Sequence, residues 1–595
     1  MHPLDSGNIT IALPAELLEV IFFSLINPIY DSCYDEDIAV KRAIEASSIR
    51  SVSQVCRFWR ETALGCSSLW VYGLDMNTAG ANWVNTAIQR TKSASLVVQA
   101  IIRNPEGSIL NDEKWFNVLI HFYRFRVLHL FFIHPSFNIS DLRPILSQPT
   151  PVLESFLFCR APAPRAGDHP NSNTVSVDIF GGNAPSLKSL YLFGGLTPTR
   201  IPFRLSNLAI ISPARLRHSK LLDILEHQPT LEMLQLSFSV ALSSRPSRTM
   251  HLPSLQTLWL SDQPRVCAVI LDHLTTPPSC VIRVTITQPK VWIDGAPNCL
   301  LLQSAFSKIF KKWKLRKQHT AWVLSASPFT SHIVAFDTRY TPSRPLFEYI
   351  WLGTGLSVQP RLNFLFLGSM LTSIQNHCDL GNAYHLLLDC YGLDESGADA
   401  VLTFMNHLKN LREIRCTPRT FNWMTVRIFS DLALHEPLIS TRETLAFPEL
   451  RTIYLEKGEL IALGEGISHF FEVLYCILGR SPKVESLHMP EDSPVLMEVM
   501  QFFQHPMLAY KRVDVCTHTD KERLLSDLAE NVIMNLFAIF HFSRNHFHNR
   551  TGTPRSSSLD ELMNFMVRDE GDMYYLWTYY ISPHKMRKLN NIIVC

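Results

Sequence analysis

Pro185-Ser186-Leu187-Lys188-Ser189-Leu190-Tyr191-Leu192 is the phrase from which the fold is read. Proline fixes a turn and the first leucine closes it. The last two leucines stand two residues apart, so both point to one side of an extended strand while Tyr191 points to the other. The phrase returns as Pro229-Thr-Leu231-Glu-Met-Leu234-Gln-Leu236, Pro253-Ser-Leu255-Gln-Thr-Leu258-Trp-Leu260, Pro448-Glu-Leu450-Arg-Thr-Ile453-Tyr-Leu455 and Pro482-Lys-Val484-Glu-Ser-Leu487-His-Met489. Looser copies stand at Val152-Leu153-Glu-Ser-Phe156-Leu157 and Leu408-Lys-Asn-Leu411-Arg-Glu-Ile414, and Phe125-Arg-Val-Leu128-His-Leu130 opens the series. Helical patterns at Leu221–Leu225, Ala400–Leu408 and Phe470–Leu478 precede three of these strands. Helix, proline turn, strand in recurring order predicts an α/β fold whose units stack side by side into one core. Ordinary buried strands of a non-repeating α/β domain satisfy the same short apolar runs. From about 288 to 380 the clean phrase is missing, although Trp322–Leu324 and Ile333–Phe336 read as strands, and a boundary between two halves of the array is expected there.

Ahead of the series, Leu13-Pro14-Ala15-Glu16-Leu17-Leu18-Glu19-Val20-Ile21-Phe22-Phe23-Ser24-Leu25 reads as a helix with proline at its start and Leu17, Ile21 and Leu25 along one face. Val52, Val55, Cys56 and Trp59 fall at i, i+3, i+4 and i+7 and predict a second amphipathic helix, with Arg57 and Arg60 on its other side. The spacer 27–48 carries Asp31, Asp35, Glu36 and Asp37 and reads as a solvated loop with a short helical piece around Ile38 to Ala46.

Leu-Pro-x-Glu-Leu followed by Ile and Leu, then Val55-Cys56-Arg57-x-Trp59-Arg60 and Ser68-Leu69-Trp70, resembles an F-box over about Ile11 to Trp70. The strand phrases resemble leucine-rich repeats, with uneven spacing and without the Asn or Cys that follows the strand in that family; Gly195 and Gly458 stand near that point. The chain as a whole is similar to F-box proteins of mushroom-type (basidiomycete) fungi. The resemblance implies an N-terminal helical F-box at 11–72 with an insertion at 27–48, an irregular leucine-rich-repeat solenoid at 73–545, and a polar connector with a C-terminal tail at 546–595. It implies docking of a Skp-type adaptor, and through it a cullin, by Leu13, Pro14, Leu17, Ile21, Leu25, Val55, Cys56 and Trp59. The body would then select a target protein for ubiquitylation without catalysis of its own; the alternative is a scaffold or sequestering role outside a ligase. Target contacts are expected at the positions between the inward leucines, Tyr191, Gln235, Trp259, Tyr454 and His488.

Bulk properties narrow the class. A chain of 595 residues exceeds the size of one growing core, and 46% hydrophobic with 18% charged residues predicts an ordered body. A formal net charge of +2 gives no global pull toward nucleic acid, and no apolar run reaches bilayer length. Thirteen cysteines without a Cys-x-x-Cys pair fit a reducing compartment, cytosolic or nuclear, better than a disulfide framework. No enzyme or cofactor motif is expected: Gly353-Thr-Gly355 and Gly464-Glu-Gly466 lack the third glycine of a dinucleotide loop, and His435-Glu436 runs into Pro437. His541, His546 and His548 lack a matching cysteine pair for structural zinc. One local charge feature remains, the basic amphipathic helix Lys308-Ile-Phe-Lys311-Lys312-Trp313-Lys314-Leu-Arg316-Lys317, which reads as a repeat helix with a solvated basic side or as a nuclear-import signal, a patch for an acidic partner or a lipid-facing surface.

Overall fold

The proline phrases that open at 185, 229 and 253 fold as turns that feed parallel strands. The Leu187 amide donates to the Ala184 carbonyl at 3.1 Å, Leu231 to Gln228 at 3.3 Å and Leu255 to Leu252 at 3.3 Å. The following amides reach back to the preceding strand: Lys188 and Ser189 both donate to the Glu154 carbonyl, and Glu232 and Met233 to that of Ser206. The start of each strand is therefore fixed by its predecessor. The computed structural model describes residues 13–26, 37–102, 112–132, 139–160, 175–211, 216–242, 248–287, 295–313, 320–326, 330–337, 345–352, 360–390, 393–417, 420, 448–455, 483–490 and 512–516. The expectations for Gly353-Thr-Gly355, His435, Gly458, Gly464-Glu-Gly466, Phe470–Leu478, the three histidines near 541–548 and the tail lie outside them.

The chain divides into two compact units between Leu255 and Gln256, ahead of the 288–380 stretch. The first unit opens with helices α1 (Ala15–Ile26), α2 (Asp37–Val52), α3 (Arg57–Gly65), α4 (Ser67–Tyr72) and α5 (Ala81–Thr91). Strand β1 (Leu96–Ile102), helix α6 (Glu113–Leu119), then β2 (Phe125–Phe132), β3 (Ser155–Arg160), β4 (Ser189–Phe193) and β5 (Asn207–Ile211) follow, with α7 (His218–Glu226) and β6 (Met233–Ser237). The six strands pair in sequence order, all parallel. Register aligns Leu128, Phe156, Leu190, Leu208 and Leu234 in one row and Leu130, Phe158, Leu192, Ile210 and Leu236 in the next. All ten are buried, and each contributes about 1.5–3 kcal/mol of apolar burial.

The second unit contains β7 (Thr257–Asp262), α8 (Pro264–His273), β8 (Val281–Thr287), α9 (Gly295–Trp313), β9 (Thr320–Ala326), β10 (Thr330–Asp337) and β11 (Pro345–Leu352). Helix α10 (Pro360–His377), β12 (Ala383–Cys390), α11 (Glu395–Asn406), β13 (Glu413–Cys416), β14 (Thr452–Leu455), β15 (Ser486–Pro490) and β16 (Arg512–Cys516) complete it. Its strand order is β7-β8-β11-β10-β9-β12-β13-β14-β15-β16. Only β10 runs antiparallel to its neighbours, within the stretch where the leucine phrase fades. A hairpin needs no helix to bring the chain back, so the helix–turn–strand wording stops there. The parallel α/β architecture expected from the phrases is present.

Two local expectations are corrected. Residues 37–52 form one continuous helix of 16 residues, where the sequence reading placed a loop with a short helical piece. Its buried Arg42, Glu45, Ala46, Ile49 and Val52 fall at helical spacing and give the segment a packing partner that a charged spacer would lack. The second predicted helix is also broken. Val52 ends α2, Val55 lies in the connection, and α3 starts at Arg57 with Cys56 as its N-cap, whose sulfur accepts from the Trp59 amide at 3.4 Å.

Gly195, just past β4, sits at φ +76, where an L side chain is strained, and a Cβ there would lie 2.1 Å from Ile139 Cδ1. A backbone close approach replaces the side-chain ladder that the repeat resemblance would lead one to expect at this point.

Candidate functional site

The N-terminal helices are apolar on two sides. Leu18, Phe22 and Ile26 recur every four residues and are buried among the helices. Phe22 meets Trp59 edge-on at 5.3 Å and Phe23 meets Tyr72 at 6.1 Å. Behind them Trp70 is fully buried, its indole donating to the Ala63 carbonyl at 2.8 Å and packing on Trp83 at 5.7 Å. Arg50 caps the Trp83 ring at 3.9 Å and Arg90 the Trp70 ring at 4.2 Å, so the aromatic core is closed by cations at its edge.

The other side of α1 is left open. Leu17 is 50% exposed, Val20 64% and Leu25 54%; Ile44 of α2 is 59% exposed and Val55 57%. Of the eight residues expected to dock an adaptor, Leu17, Leu25, Val55 and Pro14 are exposed, whereas Leu13, Ile21, Cys56 and Trp59 are half-buried. Cys56 and Trp59 meet at the start of α3, and Trp59 also packs against Phe22. Val20 and Ile44 belong to the exposed set and were missed. A helix apolar all round offers no single face to periodicity, which selected Leu17, Ile21 and Leu25 and passed over their neighbour Val20.

Helix α2 is fixed to the sheet by a buried polar chain. Arg42 pairs with Glu45 at 2.9 Å and donates to Gln99 Oε1 at 3.2 Å. Gln99 Nε2 lies 3.2 Å from His129 Nδ1, and His129 Nε2 lies 2.9 Å from Ser155 Oγ. With Gln99 Oε1 turned to the guanidinium, its amide must donate to Nδ1, which leaves His129 neutral with its proton on Nε2. Burial, reinforced by Arg42, pulls the His129 pKa down to about 3.

The expected target-facing residues divide. They all lie opposite the inward leucines, as the alternation requires, but exposure differs. Gln235 is 2% exposed and Trp259 8%, so neither offers a surface; this corrects the expectation for both. Gln235 shares its row with Leu157, Tyr191 and Ala209, where Leu157, Phe193, Ala209 and Ile211 form an apolar cluster against which Tyr191 packs. Tyr454 and His488 are half-buried and stacked, ring centroids 4.3 Å apart at 18°. Arg415 lies over the other face of this pair, 4.2 Å from the Tyr454 centroid. Two residues back along the strand from Arg415, His385 Nδ1 meets Glu413 Oε2 at 2.8 Å, and this bond together with the nearby Arg415 and His488 holds the Glu413 carboxyl below its ordinary range. Arg415 occupies, in the looser Leu408–Ile414 copy, the position that Tyr454 occupies in its own; extending the same rule to that copy would have named it.

Elsewhere the chemistry is quiet. Of the expected basic helix, Phe306, Ile309 and Phe310 are buried on one side of α9, while Lys308 pairs with Asp272 at 2.6 Å and Lys311 is exposed. The side chains of Lys312 and Trp313, and residues 314–317, lie outside the described set. Burial pushes the Cys280 and Cys378 thiols up to about 12 and raises those of Cys267 and Cys390 well above the usual value, so these sulfurs stay protonated. Among the described residues no group of three or more His, Cys, Asp or Glu could hold a metal ion, and no helix is long and apolar enough to cross a membrane. Protein-family models yield no match to the chain, and no curated protein matches it.

Proposed function

We propose that this protein is the substrate-recognition subunit of a Skp–cullin–F-box type ubiquitin ligase, with α1 to α4 as the adaptor-docking F-box and the strand–helix body as an irregular leucine-rich-repeat receptor for a target protein. The observation that carries the reading is the outer side of α1. Leu17, Val20 and Leu25 stand exposed on a helix whose inner side is already filled by Leu18, Phe22 and Ile26. Large apolar side chains clustered on one helix without cover mark an interaction site. The role is one of proximity: a receptor raises the local concentration of its target at the ligase and performs no bond chemistry.

The test is co-purification of the full chain with a Skp-type adaptor and cullin, beside the variant Leu17→Asp. Covering Leu17 in an interface contributes about 1.5–3 kcal/mol, and a carboxylate left unpaired there costs more, so adaptor binding should weaken by at least about 10- to 100-fold. At a half-exposed position the substitution should leave stability within about 0.5 kcal/mol. Retention of the adaptor by the variant, or no adaptor with the wild type, refutes the assignment.

A further inference from the structure

A cleft opens in the second unit between α8 and α9, on the side of the sheet toward which Leu258 points. Its floor is Leu258 and Ile282, register partners on β7 and β8, and its walls are Leu271 and Leu274 on one side and Ile309 on the other. All five are buried. The rim is formed by residues 275–278 and by the paired side chains of Asp272 and Lys308, 2.6 Å apart. Pro278 and Lys308 are exposed, so the cleft opens to solvent between them. Its volume of about 280 Å³ falls just under the range of about 300–1,000 Å³ typical of small-molecule sites, and it suits one large apolar side chain. Such a side chain, presented by a segment lying across the rim, fills the space without burying that segment's own amides.

Charge around the cleft defines what accompanies the apolar anchor. Helix α9 packs between α8 and α10, and the three helices carry Arg265, Lys308, Lys311, Lys312 and Arg361 against a single carboxylate, Asp272. That carboxylate is paired with Lys308, and residues 275–278 of the rim carry no charge. No Asp or Glu occurs in the sequence from Gly295 to Phe336. Lys311 is exposed on the outer side of α9 and makes no ion pair or hydrogen bond among the described residues. It stands one turn beyond Lys308, about 5–6 Å away at Cβ, a distance that an extended peptide covers in about two residues.

We infer that the cleft between α8 and α9 docks a segment of the target protein that places one large aliphatic or aromatic side chain against Leu258, Leu271 and Ile309, and an Asp or Glu about two positions away on Lys311. The five basic groups on the three helices, set against one carboxylate that is already paired, select an acidic neighbour for the anchor by charge complementarity. This deepens the receptor reading by naming the chemistry of the target and rests on that reading for its biological sense. It places the contact on the side of the sheet opposite to the row of Tyr191, Trp259 and His488.

The probe is a random-peptide phage library panned on full-length protein, followed by titration of the best synthetic peptide. Wild type should enrich a large apolar residue with Asp or Glu close by, and replacing the apolar residue by Ala should weaken binding by about 10- to 100-fold, the loss of its burial. Lys311→Glu, at an exposed position, should leave the fold intact and weaken the peptide by about 3- to 10-fold, and exchanging the peptide's acid for Lys should restore binding to that variant. With the anchor replaced by a photoreactive analogue, cross-links should fall at residues 271–278 or 308–309. Absence of this enrichment, equal binding by Lys311→Glu, failure of the charge exchange to restore binding, or cross-links elsewhere overturns the inference. Adaptor binding measured on the same samples keeps the two readings apart: its failure removes the ligase role, whereas failure of the peptide readout removes only this docking site.

Discussion

Acidification should loosen the seam between α2 and the first two strands, and the size of the effect follows from His129. An unfolded histidine titrates near 6.5, while the buried one is pulled to about 3, so the folded state binds its proton far more weakly than the unfolded chain does. The stability at stake is fully present above pH 6.5 and is lost progressively as pH falls toward 3. At pH 5 the deficit is about 2 kcal/mol, from 1.5 pH units at about 1.4 kcal/mol each, and it grows to about 5 kcal/mol by pH 3. Protonation would set an Nδ1 donor against the Gln99 amide, and rotating that amide would turn its donors toward Arg42, so no rearrangement of the chain accommodates the charge. The assay is hydrogen exchange of the β1 and β2 amides in mild urea at pH 7 and pH 5, corrected for intrinsic rates, for wild type and His129→Gln. Wild type should lose about 2 kcal/mol of protection relative to the variant over that range; groups common to both proteins cancel. Parallel pH dependence in the two would refute the account.

Two further outcomes follow from packing. Gly195→Ala should destabilise the first unit by about 1–3 kcal/mol, because the added methyl meets Ile139 at a left-handed backbone position, with a lowered urea midpoint as the readout. Trp259→Ser should cost about 3–5 kcal/mol and lower the thermal midpoint, since the ring is almost fully covered, whereas Tyr454→Ser at a half-exposed position should leave the midpoint nearly unchanged.

The parts of the fold legible in the sequence are those where one local device does two tasks. Leu187, Leu190 and Leu192 specify a turn closure and a strand within six residues, so the phrase could be found without knowing its neighbours. What escaped depends on partners distant in sequence. Helix α2 looked like a spacer because its packing rests on Arg42 meeting Gln99, 57 residues away, and no local pattern announces that bond. Along α1, Leu17, Ile21 and Leu25 and Leu18, Phe22 and Ile26 make equally good four-residue series; the second series is the one buried, Phe22 meeting the ring of Trp59 brought by another helix, while Leu17 and Leu25 of the series expected to dock an adaptor stay exposed. Gln235 and Trp259 point where the alternation sends them, yet alternation sets direction and says nothing of cover. Tyr454, by contrast, remains half-exposed, and its stack with His488 joins two phrases that the sequence had already aligned.

The single reversed strand has a consequence for the order in which the second unit assembles. Every parallel pairing there must first close a loop long enough to carry a helix or an extended connection, while Ala326 meets Ser331 only a few residues farther along the chain. Loop-closure entropy rises with length, so the β9–β10–β11 meander is the cheapest long-lived structure for this part of the chain to reach. Once formed it presents two open edges, β11 toward β8 and β9 toward β12. Assembly can then spread outward in both directions from the middle of the unit, and the stretch that carries the faintest repeat signal becomes its seed.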